Sequence, residues 1–252
     1  MLHHHDTTLV LFSYLTSVAG SFVALLLANL ACRLREGAQI AVVSFAAAVA
    51  LGGVGIWTMH FIAMLGWQVD MPVGYSILPT VNSAVVAVLV VWAGLLAVRS
   101  RSVGLFRLVA AGVMVGLGVA GMHYMGMSAI QMQAVISYDP TLLAASIGVA
   151  IAAATVALWL VTRLNRVWQM FAAALVMGIA VCGMHYVGML ATMVTPDASL
   201  AAVVNTWVLT DDLLAFLILP VAVATLVFAG LVYAIYIDYD PEYDDMMIGS
   251  IA

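Results

Sequence analysis

Seven apolar runs long enough to cross a lipid bilayer as helices recur along this chain, at Thr8–Arg33, Gln39–Gly66, Ser76–Val98, Ser102–Met132, Thr141–Thr162, Arg166–Met193 and Leu209–Ile237. About 30 Å of hydrocarbon takes about 20 apolar residues at 1.5 Å of rise each. The expected fold class is all-α: a polytopic membrane protein of seven transmembrane helices. Of 252 residues, 66% are hydrophobic and 8% charged, where a soluble domain carries about 25% charged residues.

The chain has no lysine, and its arginines fall in three short connections: Arg33 and Arg35, then Arg99, Arg101 and Arg107, then Arg163 and Arg166. The positive-inside rule puts these connections in the cytoplasm, which with seven spans gives an N-out, C-in topology. The opposite connections carry Asp70, Asp139 and Asp197 with Pro72, Pro79, Pro140 and Pro196, and no basic residue. A net charge of −5 without a basic patch argues against nucleic acid as a partner. Cys32 and Cys182 fall at opposite faces and cannot bridge. The N-terminus lacks a signal peptide's basic and cleavage regions, so the first span is retained.

One motif is written three times, as Thr58-Met59-His60-Phe61-Ile62-Ala63-Met64, Gly121-Met122-His123-Tyr124-Met125-Gly126-Met127 and Gly183-Met184-His185-Tyr186-Val187-Gly188-Met189. The steps between copies are nearly equal, and each contains two spans, so the chain reads as three helix pairs plus a seventh helix. The copies share one orientation and one depth, roughly 24–32 Å from the arginine loops, which points to a pseudo-threefold axis along the membrane normal. The glycine-rich second, fourth and sixth spans should line that axis, since small residues let helices approach closely. The third and fifth spans, rich in Val, Leu, Ile and Ala, should face lipid.

Polar side chains inside a bilayer are rare and usually functional, and leucine would fill the same space without an imidazole to satisfy. Spaced i,i+4 on a helix, His60 and Met64, His123 and Met127, and His185 and Met189 each present one nitrogen and one sulfur on a common face. Neutral imidazole with thioether suits copper, as one or two ions, better than Mg, Ca or Mn. Met59, Met122 and Met184 point about 100° away around the helix and read as secondary or alternative ligands. Ala63, Gly126 and Gly188 lie beside the His–Met face and would admit a ligand or another helix. Phe61, Tyr124 and Tyr186 read as packing or interfacial aromatics. Cys182, whose counterparts are Trp57 and Ala120, breaks the repeat and reads as core. No paired carboxylates, Ser-His-Asp set or phosphate loop supports a hydrolase or transferase.

On these three motifs the chain resembles the bacterial MHYT domain, an integral membrane sensor module, over roughly Thr8 to Ile237. It departs from the family's pattern where Ile62, Met125 and Val187 replace Thr and where Phe61 replaces Tyr. The resemblance implies a copper-binding sensor of a diatomic gas such as O2, CO or NO, in the bacterial cytoplasmic membrane, signalling to a cytoplasmic partner. Copper acquisition or transport, a copper oxidase or oxygenase, and a haem protein are the competing readings. The expected organisation is an extracytoplasmic tail at 1–8, the membrane domain at 9–237 and an acidic cytoplasmic tail at 238–252. Met1-Leu2-His3 has the donors of a square-planar Cu(II) site, although the run His3-His4-His5 reads as a solvated tail.

Overall fold

The computed structural model describes residues 4–99, 103–200 and 208–237. The Met1-Leu2-His3 donor set, Arg101 and the acidic tail lie outside the described residues. Seven helices are long and apolar enough to span a membrane: α1 Thr7–Ala31, α2 Gly37–Leu65, α3 Ile77–Ala97, α4 Leu105–Ser128, α5 Pro140–Arg163, α6 Val167–Ala191 and α7 Asp211–Ile237. Their ends lie within four residues of the expected spans. The largest overrun is where Ile130 and Gln131 leave the helix for a strand.

Strands β1 His4–His5, β2 Trp67–Gln68, β3 Gly74–Ser76, β4 Ile130–Gln131, β5 Ala134–Tyr138, β6 Thr192–Pro196 and β7 Val208–Thr210 gather at the histidine end. Helical periodicity does not reveal them, although β5 and β6 are rich in the β-branched and aromatic residues that suit a pleated surface. Antiparallel pairing joins β1 to β2, β3 to β4 and β5 to β6. The structural unit is therefore strand, helix, arginine loop, helix, strand, with its two strands zipped together. β7, which leads into α7, adds to the free edge of β3.

Each unit is closed by an equivalent backbone bond. The N–H groups of Asp6, Ser76 and Asp139, the residues preceding α1, α3 and α5, donate to the carbonyls of Gly66, Ala129 and Ala191 at 2.8–2.9 Å. Asp6 and Asp139 also cap their helices: a carboxylate oxygen accepts from the amides of Thr8 and Leu9, and of Thr141 and Leu142. Such caps satisfy amide donors that a helix start would otherwise leave unpaired.

The units close into a ring through glycines. A Cβ on Gly52 of α2 would strike the Ala87 backbone of α3, one on Gly116 of α4 would strike Ile151 of α5, and one on Gly178 of α6 would strike Val18 and Tyr14 of α1. Each second helix of a unit thus abuts the first helix of the next, and the last abuts the first. In α2 the segment Val49–Thr58 is a π-helix, a form found mostly as short insertions. Within it Gly55 meets Gly20 of α1 so closely that a side chain at Gly20 would hit backbone. α7 packs outside the ring against α1 and α2. Leu214 and Ile218 of α7 join a buried cluster with Phe61, Met64, Met127 and Met189.

Candidate metal centre

The three motif histidines project from α2, α4 and α6 to one point at the histidine end of the ring. All three are completely buried. Nδ1 of His60 lies 3.0 Å from Nδ1 of His185 and 3.2 Å from Nδ1 of His123. Their ring centroids are 5.0–5.1 Å apart and their planes cross at 76–90°, so the imidazoles form a three-bladed propeller with the Nδ1 atoms at its hub.

The offset of this propeller follows from glycine. A Cβ on Gly126 would collide with the imidazole of His60, and one on Gly188 with that of His123. The small residue expected to admit a ligand or a helix admits the neighbouring unit's histidine. His60 and His123 thus lean into the following unit, which repeats the order in which the helices themselves abut.

Three nitrogens at this spacing constrain the chemistry. A neutral imidazole carries one N–H and one lone pair, and facing lone pairs repel unless a proton or a cation lies between them. With Nδ1 unprotonated on all three rings, the hub is a set of convergent donors in which each N–H is on Nε2. Bonds of ~2.0–2.1 Å to one ion would separate the nitrogens by ~3.3–3.6 Å. Opening the triad by a few tenths of an ångström therefore suffices, and the residues fit a metal ion. Histidine alone would serve zinc or copper. The Nε2 atoms are buried without a hydrogen-bond partner, which departs from the usual histidine ligand whose second nitrogen is held by an acceptor.

The structure separates the two methionine sets. Met64, Met127 and Met189, the i+4 residues, are buried together in the cluster on the strand side of the triad, with Phe61, Trp67 and Tyr75. Met122 and Met184 belong instead to the large core cluster running toward the arginine end, and Met59 is fully buried. Cys182 is buried but is not among the converging donors.

A second ring surrounds the first, and sequence reasoning missed it. Tyr124 and Tyr186 are more than packing aromatics: their hydroxyls meet Ser146 of α5 at 2.6 Å and Ser13 of α1 at 3.4 Å. In the first copy, where Phe61 has no hydroxyl, Trp57 takes the role and donates from Nε1 to Ser83 of α3 at 3.0 Å. Each bond ties one unit to the next. Ser83 and Ser146 are as far apart in sequence as His60 and His123, a signal that could have found them. Outside the spans, Tyr138 stacks edge-on against Tyr124, and burial with the adjacent Tyr124 phenol pushes its hydroxyl up to about 12. His5 of β1 meets Tyr186 edge-on at 5.3 Å, so the stretch read as a tail reaches the rim of the site.

The family model described as a bacterial signalling protein N-terminal repeat, MHYT, matches residues 53–111 and 116–174. The bifunctional diguanylate cyclase/cyclic di-GMP phosphodiesterase MucR of Pseudomonas aeruginosa is 36% identical over 196 residues, covering 76% of this chain and 28% of that protein. The signaling protein YkoW of Bacillus subtilis is 32% identical over 200 residues, covering 77% of this chain and 25% of its own length. The chain thus spans about a quarter of these curated relatives. No solved structure matches.

Proposed function

Since this chain belongs to the MHYT family, a membrane domain of bacterial signalling proteins, we propose that it is a copper-binding sensor of a diatomic gas or of redox state, facing the outside of the bacterial cytoplasmic membrane. The observation that carries the reading is the convergence of three buried Nδ1 atoms from three repeats at 3.0 and 3.2 Å. His60, His123 and His185 would hold the ion, and the adjacent layer of Met64, Met127 and Met189 favours copper over zinc because thioether is a soft donor. Met59, Met122 and Met184 would support the ligand helices from behind. Bound copper would supply a reducible centre able to take a diatomic ligand.

The chain's own residues would convert that event into motion. A shift of His60 or His123 would press on Gly126 or Gly188 of the next unit and load the Tyr124–Ser146, Tyr186–Ser13 and Trp57–Ser83 ties. Met64 and Phe61 share a buried cluster with Leu214 and Ile218 of α7, and Pro220 interrupts the α7 ladder just beyond them. That helix is the element suited to carry the change to the cytoplasmic face. The relatives named for cyclic di-GMP enzymes suggest such an enzyme domain, fused or separate, as the recipient. Sensing is favoured over copper transport because one turn from the triad toward the arginine end stand Ile56, Val119 and Val181, none of them a metal donor.

The test is elemental analysis of the purified chain in nanodiscs, followed by infrared spectroscopy under CO after reduction. Copper bound to the wild type and lost from the His60→Ala/His123→Ala/His185→Ala variant, with a copper carbonyl band, is the expected result. Absence of copper from the wild type, or full occupancy in the triple variant, would overturn the reading.

A further inference from the structure

A cavity of about 60 Å³ lies among the ring helices, on the arginine side of the triad. Its lining comes from all six ring helices and consists entirely of Ala, Val, Leu, Ile and Met. Met184, next to His185, and Ile56, Val119 and Val181, each four residues before a motif histidine, line the end toward the triad, and Leu95, Ala154 and Ala157 also line it. Four residues of helix rise about 6 Å, so the cavity begins within one turn of the motif histidines.

Its chemistry selects what can enter. A buried water needs two to four polar partners, and this lining offers no polar side chain. The backbone amides and carbonyls facing the cavity belong to helices and are already paired within them. Apolar cavities of this kind stay dry and take up apolar guests such as xenon. The volume is well above the ~10–15 Å³ that a single water needs, so a small molecule has room. The cavity lies within the hydrocarbon depth of the spans, where apolar gases dissolve, so a guest can arrive from the lipid without crossing the strand-covered histidine end.

We infer that this cavity is a docking site for one small apolar molecule of the diatomic-gas class, loaded from the bilayer and held beside the histidine triad. Its use rests on the sensing reading, but its existence as a binding site does not. Ala residues supply much of the α5 wall, so the space is kept open by side-chain choice, and leucine at those positions would fill it.

The probe is xenon, followed by 129Xe chemical shift on the metal-free chain in nanodiscs under increasing pressure. A saturable shift is expected in the wild type. It should be lost in Ala154→Leu and in Ala157→Leu, and it should grow at fixed pressure in Val181→Ala, which enlarges the end next to the triad. A shift that stays linear with pressure, as in protein-free nanodiscs, would overturn the inference, as would equal shifts in all four proteins. Should the filled variants fail to fold, the Val181→Ala comparison still decides. Xenon binding by a chain that takes up no copper would defeat only the sensing reading, and copper lost with the triad histidines but no xenon binding would defeat only this inference.

Discussion

Nε2 of His60 lies 2.5 Å from the position that a Cβ on Gly126 would occupy. The glycine is thus a socket for the motif histidine of the preceding unit. Gly126→Ala should displace the ring and lower metal affinity without removing a donor. We expect at least the ~10–100-fold loss typical of groups that orient metal ligands, read by competition with a copper chelator. Gly121→Ala is the control, because a Cβ there meets nothing within 4 Å. Equal affinity in the two variants would refute the socket.

Ligand substitution should divide by chemistry. Each of His60→Ala, His123→Ala and His185→Ala removes a hub nitrogen and should cost more than ~100-fold in affinity for either Cu or Zn, beyond the range for orienting groups. Met64→Leu, Met127→Leu or Met189→Leu conserves volume and costs under about 1.5 kcal/mol in packing. These variants should weaken Cu(I) by about tenfold or more and leave Zn(II) unchanged. Parallel losses for both metals would remove the methionines from the site.

The tyrosine–serine ties should matter more for coupling than for stability. Ser146 also donates to the Leu143 carbonyl at 2.8 Å, so Tyr124→Phe leaves it a partner and should cost only about 1 kcal/mol. A thermal-shift measurement gives this number. If the ties transmit the signal, Tyr124→Phe in a longer relative-like fusion should bind copper normally but respond less to the gas.

Removing a helix cap tests the closure of the units. Asp139 caps α5 through Thr141 and Leu142 at 2.9 Å each, and Asp139→Ala should destabilise the domain by about 1 kcal/mol. Asp139→Asn should recover most of that loss, since an amide oxygen still accepts. Denaturation in a mixed-detergent series would compare the three proteins.

Orientation follows from charge. Single cysteines placed at Asp70 and Asp197 should react with an impermeant maleimide added outside intact cells, and those at Arg35 and Arg163 only after lysis. The reverse pattern would turn the histidine end toward the cytoplasm.

Most of the membrane architecture was legible in local sequence. Partition into hydrocarbon depends on the summed polarity of about 20 residues, so seven spans could be read to within a few residues of their ends. The three motif copies carried their own spacing and direction, and from these a pseudo-threefold arrangement of α2, α4 and α6 follows. The His–Met pairs were visible because i,i+4 residues share a helix face whatever the surroundings.

What the residues alone did not reveal lies between units. Strands β2, β4 and β6 depend on edges supplied by β1, β3 and β5, and such pairing is non-local. The lean of His60 into Gly126, and the replacement of a missing tyrosine hydroxyl by Trp57 at Ser83, depend on which unit follows which around the ring. Helical periodicity records the face a residue occupies but not the identity of the neighbour on that face. The spans, the repeat and the placing of three His–Met pairs at one depth are local properties that the residues carry alone. That three Nδ1 atoms meet at one hub with an apolar cavity beside them came from the packing of consecutive units, through backbone contacts that glycine permits.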